Sequence, residues 1–162
     1  FEHSYKTFFR MIDRGLYFQP GNTPIVKPLS FVGNTVYMMF TLLLSESSAI
    51  NGQTYYLGDY PEESIQKWAD LIAESLGKKR PLIFPLSIMN LLAKGGDLCK
   101  KFGWQDPPIT SFRLNNMLTG AHYPIEKTQD IVGPLPFSLE DGVRNTISWM
   151  FQQKLVHHNK LN

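Results

Sequence analysis

The order of local patterns along the chain predicts an α/β fold. Short β-prone runs alternate with amphipathic stretches at helical spacing, and no repeat or low-complexity tract interrupts them. The 162 residues, 43% of them hydrophobic, are enough for one domain with a sizeable core. We therefore expect several helices with few short strands in a single domain over residues 1–153, followed by a polar tail at residues 154–162.

The charge balance and the rarity of metal-ligating residues exclude several classes of protein. Lys and Arg number 16 and Asp and Glu 14, a formal net charge of +2, which gives no reason to expect nucleic acid as a partner. Cys99 is the only cysteine, and no histidine has carboxylates at metal-ligand spacing, so we expect neither a disulfide nor a metal site. Because the longest apolar stretch, Val36 to Leu44, is too short to span a bilayer and the first residues do not form a signal peptide, we expect a cytoplasmic protein without membrane contact.

The first third of the chain predicts two helices joined by a turn-rich segment. Apolar residues at helical spacing indicate a helix from Phe1 to Arg14, which Gly15 ends. The segment Leu16 to Pro28 contains a Pro-Gly-Asn turn and offers only Ile25-Val26 as a strand-like pair. Asn34 can cap a helix that runs through Leu44. This second helix is apolar nearly all round, so we expect it to be buried.

The middle of the chain alternates predicted strands and helices. The run from Gln53 to Leu57 is β-prone, and Pro61 to Leu76 is a helix with one apolar stripe. Leu82 to Phe84 is expected to form a strand. A helix from Ser87 to Phe102 follows, which Gly95-Gly96 weakens by about 1 kcal/mol per glycine relative to alanine. The stripe of the Pro61–Leu76 helix consists of Ile65, Trp68, Ala69, Ile72 and Leu76.

Two further helices are predicted in the last third. Pro107-Pro108 begins a new segment, and Phe112 to Leu118 reads as a short helix. Ser138 and Asp141 have the spacing of a capping box that opens the last helix. Its buried face should consist of Leu139, Val143, Ile147, Met150 and Phe151.

The residues that could carry chemistry are few. No Gly-rich phosphate-binding motif is present, so the residues themselves support no nucleotide site. Tyr123 and Lys127 are four residues apart, as in a pair whose ammonium lowers the pKa of a phenol, but Pro124 places Tyr123 at or before the helix start, so we interpret the pair as coincidental. We interpret His122 as a surface residue. Lys27 and Arg113 are isolated cations near loops that could clamp a diphosphate, with ordinary surface cations as the alternative.

Four collinear stretches between about Phe8 and Trp149 resemble the C-terminal half of the extended short-chain dehydrogenases, the NAD(P)-dependent epimerase/dehydratase family. The first stretch, Ser30 to Val36, resembles a family segment F-V-x-V-x-D-V that precedes a buried helix. The second, Gly52 to Asp59, resembles a strand G-x-x-Y-N-L-G, and the third, Ser64 to Gly77, resembles the next helix, which ends in L-G. The last, Tyr123 to Lys127 with Gly133 to Gly142, resembles the closing segments D-x-S-K-A, L-G-x-x-P and S-L-E-E-G.

The resemblance implies where a substrate would be held. Lys27 and Arg113 lie near two arginines that contact the diphosphate in sugar-nucleotide members, and we add the neighbouring Asn115 to these predicted substrate-binding residues. Lysine in place of arginine at position 27 loses the bidentate fork of the guanidinium. The run Pro107 to Thr110 also resembles the sterol-dehydrogenase branch, so both branches stay open.

The resemblance also implies what this chain lacks. The family's Gly-rich NAD(P) loop and its catalytic Ser/Thr and Tyr-x-x-x-Lys belong to the N-terminal half, so we expect no catalytic residue here and no NAD(P) bound by this chain alone. Because the chain begins with Phe1-Glu2-His3 and no initiator Met, we interpret it as part of a longer polypeptide whose N-terminal half is its partner. Because this chain alone would expose the surface that the N-terminal half covers, we expect copies of the chain to associate with one another.

The expected function is the substrate-binding portion of an NAD(P)-dependent epimerase or dehydratase acting on a sugar nucleotide, inactive alone. Two alternatives stay open: a portion of a sterol-dehydrogenase-like oxidoreductase, and a free-standing binding module without catalysis.

Overall fold

The described part of the chain combines helices with one small parallel sheet. In the computed structural model, which describes residues 2–45 and 50–156, seven helices accompany two strands. The predicted α/β class is therefore confirmed. In chain order the elements are α1 (Glu2–Asp13), β1 (Phe18–Pro20), α2 (Val32–Leu44), α3 (Ile65–Ser75), β2 (Leu82–Phe84), α4 (Leu86–Lys101), α5 (Ser111–Leu118), α6 (Glu126–Val132) and α7 (Leu139–Gln152).

The sheet pairs β1 with β2 in parallel, with Gln19 opposite Ile83 at its centre. The rings of Phe18 and Phe84 meet edge to face with 5.6 Å between centroids, an arrangement that stabilises neighbouring strands. The β2 strand was predicted, whereas β1 lies in the segment expected to be turn. Val26, part of the pair expected to be a strand, forms only an isolated antiparallel bridge with Ser64.

The main core lies where α1, α3 and α7 pack together. The predicted stripe of α3 is confirmed, because Ala69 and Ile72 are 1% and 0% exposed and pack against Ile147 and Met150 of α7. Burying each large apolar side chain contributes about 1.5–3 kcal/mol. The helix begins later than expected: Ser64 is its N-cap, whose side chain accepts a hydrogen bond from the backbone N–H of Lys67 at 3.2 Å. The segment expected as its first turn instead contains a cis Tyr60–Pro61 peptide.

A smaller core joins α4 to α5 through Met89, Ala93 and Leu114. The glycine pair of α4 lies beside it. A Cβ at Gly96 would come within 1.8 Å of the Ile109 carbonyl oxygen, whereas a Cβ at Gly95 would meet no atom within 4 Å. Gly96 therefore allows the segment before α5 to approach α4 closely, whereas Gly95 has no part in this contact.

The structure corrects two expectations about α2. Its N-cap is Phe31 and not Asn34. Asn34 is fully buried inside the helix, where its Nδ2 donates to the Phe137 carbonyl at 3.0 Å and its Oδ1 accepts from the Phe137 N–H at 3.1 Å. The prediction of a buried helix is wrong for the described residues, since Phe40 and Leu43 are 59% and 80% exposed. α2 packs on α6, and these apolar side chains remain largely exposed in the described part of the chain.

The run Gln53–Leu57 forms no strand. The carbonyl of Tyr56 accepts a hydrogen bond from the side chain of Thr128 at 2.7 Å instead of pairing in a sheet. The capping box of α7 is confirmed: the Ser138 Oγ accepts from the Asp141 N–H, and an Asp141 carboxylate oxygen accepts from the Ser138 N–H, both at 3.1 Å. Among the described residues, no helix is long and apolar enough to cross a membrane.

Candidate functional site

A cavity of about 300 Å³ lies between α1, β1, the segment at residues 25–29 and the first turn of α3. Its walls are mainly aromatic and aliphatic, and only a few polar groups reach them. Such a composition is typical of sites that enclose the apolar body of a small molecule. The lining residues are Tyr5, Phe8, Tyr17, Gln19, Pro20, Ile25, Lys27, Leu29, Ile65, Trp68 and Met117.

Two hydrogen bonds hold the wall at residues 25–29 against α3. The Ile25 N–H donates to the Gln66 side-chain oxygen at 3.1 Å, and the Ile65 N–H donates to the Ile25 carbonyl at 2.9 Å. The opposite wall is fixed by an edge-to-face contact between Phe8 and Tyr17, with 5.0 Å between ring centroids. These contacts bring residues from three distant parts of the sequence to one cavity.

The most buried polar side chain that lines this cavity belongs to β1. Gln19 is 5% exposed, and its Oε1 accepts a hydrogen bond from the Tyr17 hydroxyl at 3.1 Å. Burial, and secondarily the nearby Asp70 carboxylate, raise the pKa of Tyr17 to about 12. The phenol therefore stays protonated at neutral pH and remains a hydrogen-bond donor.

Lys27 lies where three concavities meet. It lines the apolar cavity, a second pocket of about 210 Å³ toward the start of α7, and a shallow groove of about 420 Å³ along the end of α5. Within the described chain its Nζ donates one hydrogen bond, to the Asn116 carbonyl at 2.8 Å. Because an ammonium carries three donors, two remain for water or a ligand.

The other predicted substrate-binding residues are placed differently. The Arg113 guanidinium pairs with Asp106 and donates to the Pro107 carbonyl at 2.7 Å, which turns it toward the loop before α5. Asn115 is exposed, and its backbone carbonyl accepts hydrogen bonds from Thr119. Neither residue lines the apolar cavity. The structure thus connects Lys27 to α5 next to Asn115, and the role of all three in substrate binding stays a prediction.

The Tyr123/Lys127 pair shares no helix. Tyr123 precedes α6, and its ring stacks on Tyr56 with 5.2 Å between centroids and 14° between planes. Lys127 is within α6. His122 is exposed, and its Nδ1 contacts the Glu62 carboxylate. These contacts assemble no acid–base pair between Tyr123 and Lys127.

The turn from β2 to α4 does not have the form that binds the pyrophosphate of a dinucleotide. The chain passes there through Phe84, Pro85 and Leu86 without a glycine. A dinucleotide-binding turn is rich in glycine, so that backbone N–H groups can approach the phosphates. Whether this chain contacts NAD(P) elsewhere stays a prediction.

Sequence reasoning missed Gln19 and the role of Trp68 as a cavity wall. The β-prone run Tyr17-Phe18-Gln19 indicates a short strand. The Pro-Gly-Asn turn that follows it favoured a turn for the whole segment instead. Trp68 was assigned to the core stripe of α3, where it does lie, and its 8% exposed surface also faces the cavity.

Two known proteins are similar to this chain, and no family model matches it. It is 27% identical over 143 residues to the decarboxylating sterol-4-alpha-carboxylate 3-dehydrogenase of Schizosaccharomyces pombe, an alignment that covers 85% of this chain and 42% of that protein. The crystal structure of gox2253 shares the fold with a TM-score of 0.66 at 17% identity, over 95% of this chain and 45% of that one. The chain spans less than half the length of either protein, and its sequence similarity to a sterol-4-alpha-carboxylate 3-dehydrogenase is distant and partial.

Proposed function

We propose that this chain is the substrate-binding part of an NAD(P)-dependent oxidoreductase that acts on an apolar ring-containing alcohol or ketone of the sterol class. The observation that carries the proposal is the cavity of about 300 Å³ with its aromatic and aliphatic walls. A rigid apolar skeleton gains free energy there by leaving water, and the few polar groups orient it. The distant similarity to a sterol-4-alpha-carboxylate 3-dehydrogenase supports the same substrate class.

The surroundings of Lys27 favour this substrate over a sugar nucleotide. A diphosphate needs several cations or backbone donors, and the second predicted cation, Arg113, is already engaged by Asp106 and a backbone carbonyl. The pocket beside Lys27 is also lined by carboxylates, which repel a diphosphate. They belong to Asp59, Glu62, Glu63 and Glu140. A single ammonium at the rim of an apolar cavity is better suited to one hydroxyl or carbonyl oxygen on an otherwise apolar ligand.

NAD(P) in this proposal is held mainly by residues outside this chain, in the N-terminal half of the same polypeptide. Bound there, NAD(P) would supply hydride transfer, and this chain would enclose the substrate. We therefore expect the chain alone to bind substrate without oxidising or reducing it.

The proposal is tested by calorimetric titration of the purified chain with lithocholic acid, kept below its critical micellar concentration, and with UDP-glucose. We expect lithocholic acid to bind with a negative heat-capacity change and UDP-glucose not to bind. Met117→Trp, which fills the cavity, should weaken lithocholic acid binding at least tenfold. Met39→Trp introduces the same side chain on α2 at a residue that is 57% exposed and should leave binding unchanged. Binding of UDP-glucose alone would favour the sugar-nucleotide alternative, and equal effects of the two variants would contradict the assigned cavity.

A further inference from the structure

We infer that Gln19 is a specificity-determining residue of the apolar cavity, whose side-chain N–H donates a hydrogen bond to a carbonyl or hydroxyl oxygen on the enclosed ring of a ligand. The inference rests on the proposed function for the ligand class, and on the contacts of Gln19 for the position of the hydrogen bond.

The first step is the placement of Gln19. The backbone of β1 is held in register with β2, where Gln19 pairs with Ile83. Side chains alternate along a strand, so Gln19 faces away from the side on which Phe18 contacts Phe84. At 5% exposure it lines the cavity from within the sheet. Glutamine is seldom this buried unless its polar atoms are used.

The second step is the hydrogen-bond inventory of its amide. The Oε1 accepts from the Tyr17 hydroxyl at 3.1 Å, which identifies the other terminal atom as the NH₂ group. No residue in the described part of the chain accepts a hydrogen bond from this Nε2. This amide donor is not among the buried polar atoms that lack a partner, so it is accessible from a cavity and free to donate to a ligand oxygen there.

The third step is the chemistry of the ligand that fits. Gln19 also lines a smaller pocket together with Asp70 and Arg80. On the side of the apolar cavity its neighbours include Phe8, Leu29 and Trp68, so a charged ligand group placed there would be poorly solvated. A neutral oxygen on a ring satisfies the amide and leaves the rest of the ring in apolar contact. A site built around such a donor discriminates against the analogue that lacks the oxygen.

The test compares cyclohexanone with methylenecyclohexane, two rings of the same shape of which only the first carries an acceptor oxygen. Dissociation constants are measured by NMR titration of the whole chain. Because methylenecyclohexane is the more hydrophobic ring, the measured quantity is the ratio of the two dissociation constants. Gln19→Met should shift this ratio toward methylenecyclohexane about 3- to 10-fold, the range of one net hydrogen bond, while keeping methylenecyclohexane binding. Gln129→Met, on the exposed surface of α6, is the matched control and should leave the ratio unchanged.

A second measurement does not depend on the folding of a variant. In wild type the side-chain amide proton resonances of Gln19 should move downfield on addition of cyclohexanone and not of methylenecyclohexane. No binding of either ring, or a ratio of dissociation constants that Gln19→Met leaves unchanged, would overturn the inference. If the change in this ratio and the amide shift are found but lithocholic acid does not bind, the role of Gln19 stands and the sterol class of the proposed function falls.

Discussion

At the scale of the residue, the two adjacent glycines of α4 occupy opposite environments. A methyl group at position 96 would overlap the Ile109 carbonyl, whereas one at position 95 would meet open space. Gly96→Ala should lower the free energy of unfolding by about 1–3 kcal/mol, because the backbone before α5 must move to admit the methyl group. Gly95→Ala should raise it by about 0.5–1 kcal/mol, since alanine loses less conformational entropy in a helix.

Urea unfolding monitored by circular dichroism measures both changes against wild type. Two variants that shift the free energy of unfolding in the same direction would contradict the contact at Ile109. The sequence predicted only that both glycines weaken the helix. Their difference depends on a segment that folds back from beyond the end of α4, and no local pattern contains that information.

The same limit explains which site residues could be predicted. Lys27 was a candidate because a cation near a loop is visible in the sequence, and the structure places it at the meeting point of three concavities. Gln19 was not a candidate, since its significance comes from Tyr17, Phe8 and Trp68, which α1, β1 and α3 bring together only in the folded chain. The local sequence around Gln19 does not show that its side chain is buried, because the residues that cover it come from distant parts of the chain.

At the scale of the element, the N-terminus of α7 depends on the reciprocal hydrogen bonds of Ser138 and Asp141. Ser138→Ala removes the side-chain acceptor for the Asp141 N–H and should lower the free energy of unfolding by about 1 kcal/mol. Ser148→Ala, at an exposed position inside the same helix, is the matched control and should change it by a few tenths in the stabilising direction. Thermal unfolding of the two variants separates the cap from helix propensity, and similar effects would contradict the role of the cap.

The cap also has a predicted pH dependence. Hydrogen bonds from the Ser138 side chain and backbone hold the pKa of Asp141 below its usual value. A carboxyl whose pKa is lowered by folding stabilises the folded state above its unfolded pKa, and this contribution is lost as the pH falls through the folded pKa. In Ser138→Ala the pKa of Asp141 should rise toward its usual value, as measured by NMR titration of the carboxyl carbon. An unchanged pKa would show that Ser138 is not the cause.

The elements that sequence reasoning predicted well are those specified by local patterns. The stripe of α3 and the capping box of α7 are encoded within a few residues and are found as expected. Strands are different, because a strand exists only where a partner pairs with it. Phe18–Pro20 became a strand by pairing with the distant β2, and Gln53–Leu57, though β-prone, found no partner.

At the scale of the whole molecule, the exposed apolar side of α2 is one feature that the described chain does not explain internally. Val36, Phe40 and Leu43 are 58%, 59% and 80% exposed along one helix. Contiguous apolar surface of this kind marks a place where another surface binds. The partner we expect in the intact protein is the N-terminal half, and in its absence we expect copies of the chain to associate through α2.

Sedimentation velocity over a range of concentrations tests this association. Wild type should sediment faster as concentration rises, because burying apolar surface between copies removes it from water. Phe40→Lys combined with Leu43→Lys should keep the chain monomeric. The control combines Asn145→Lys with Gln152→Lys, which change the charge equally at exposed polar residues of α7. This control should associate as wild type does. A wild-type chain that remains a monomer at every concentration would show that apolar exposure on α2 is insufficient for self-association, and loss of association in both double variants would assign it to net charge and not to α2.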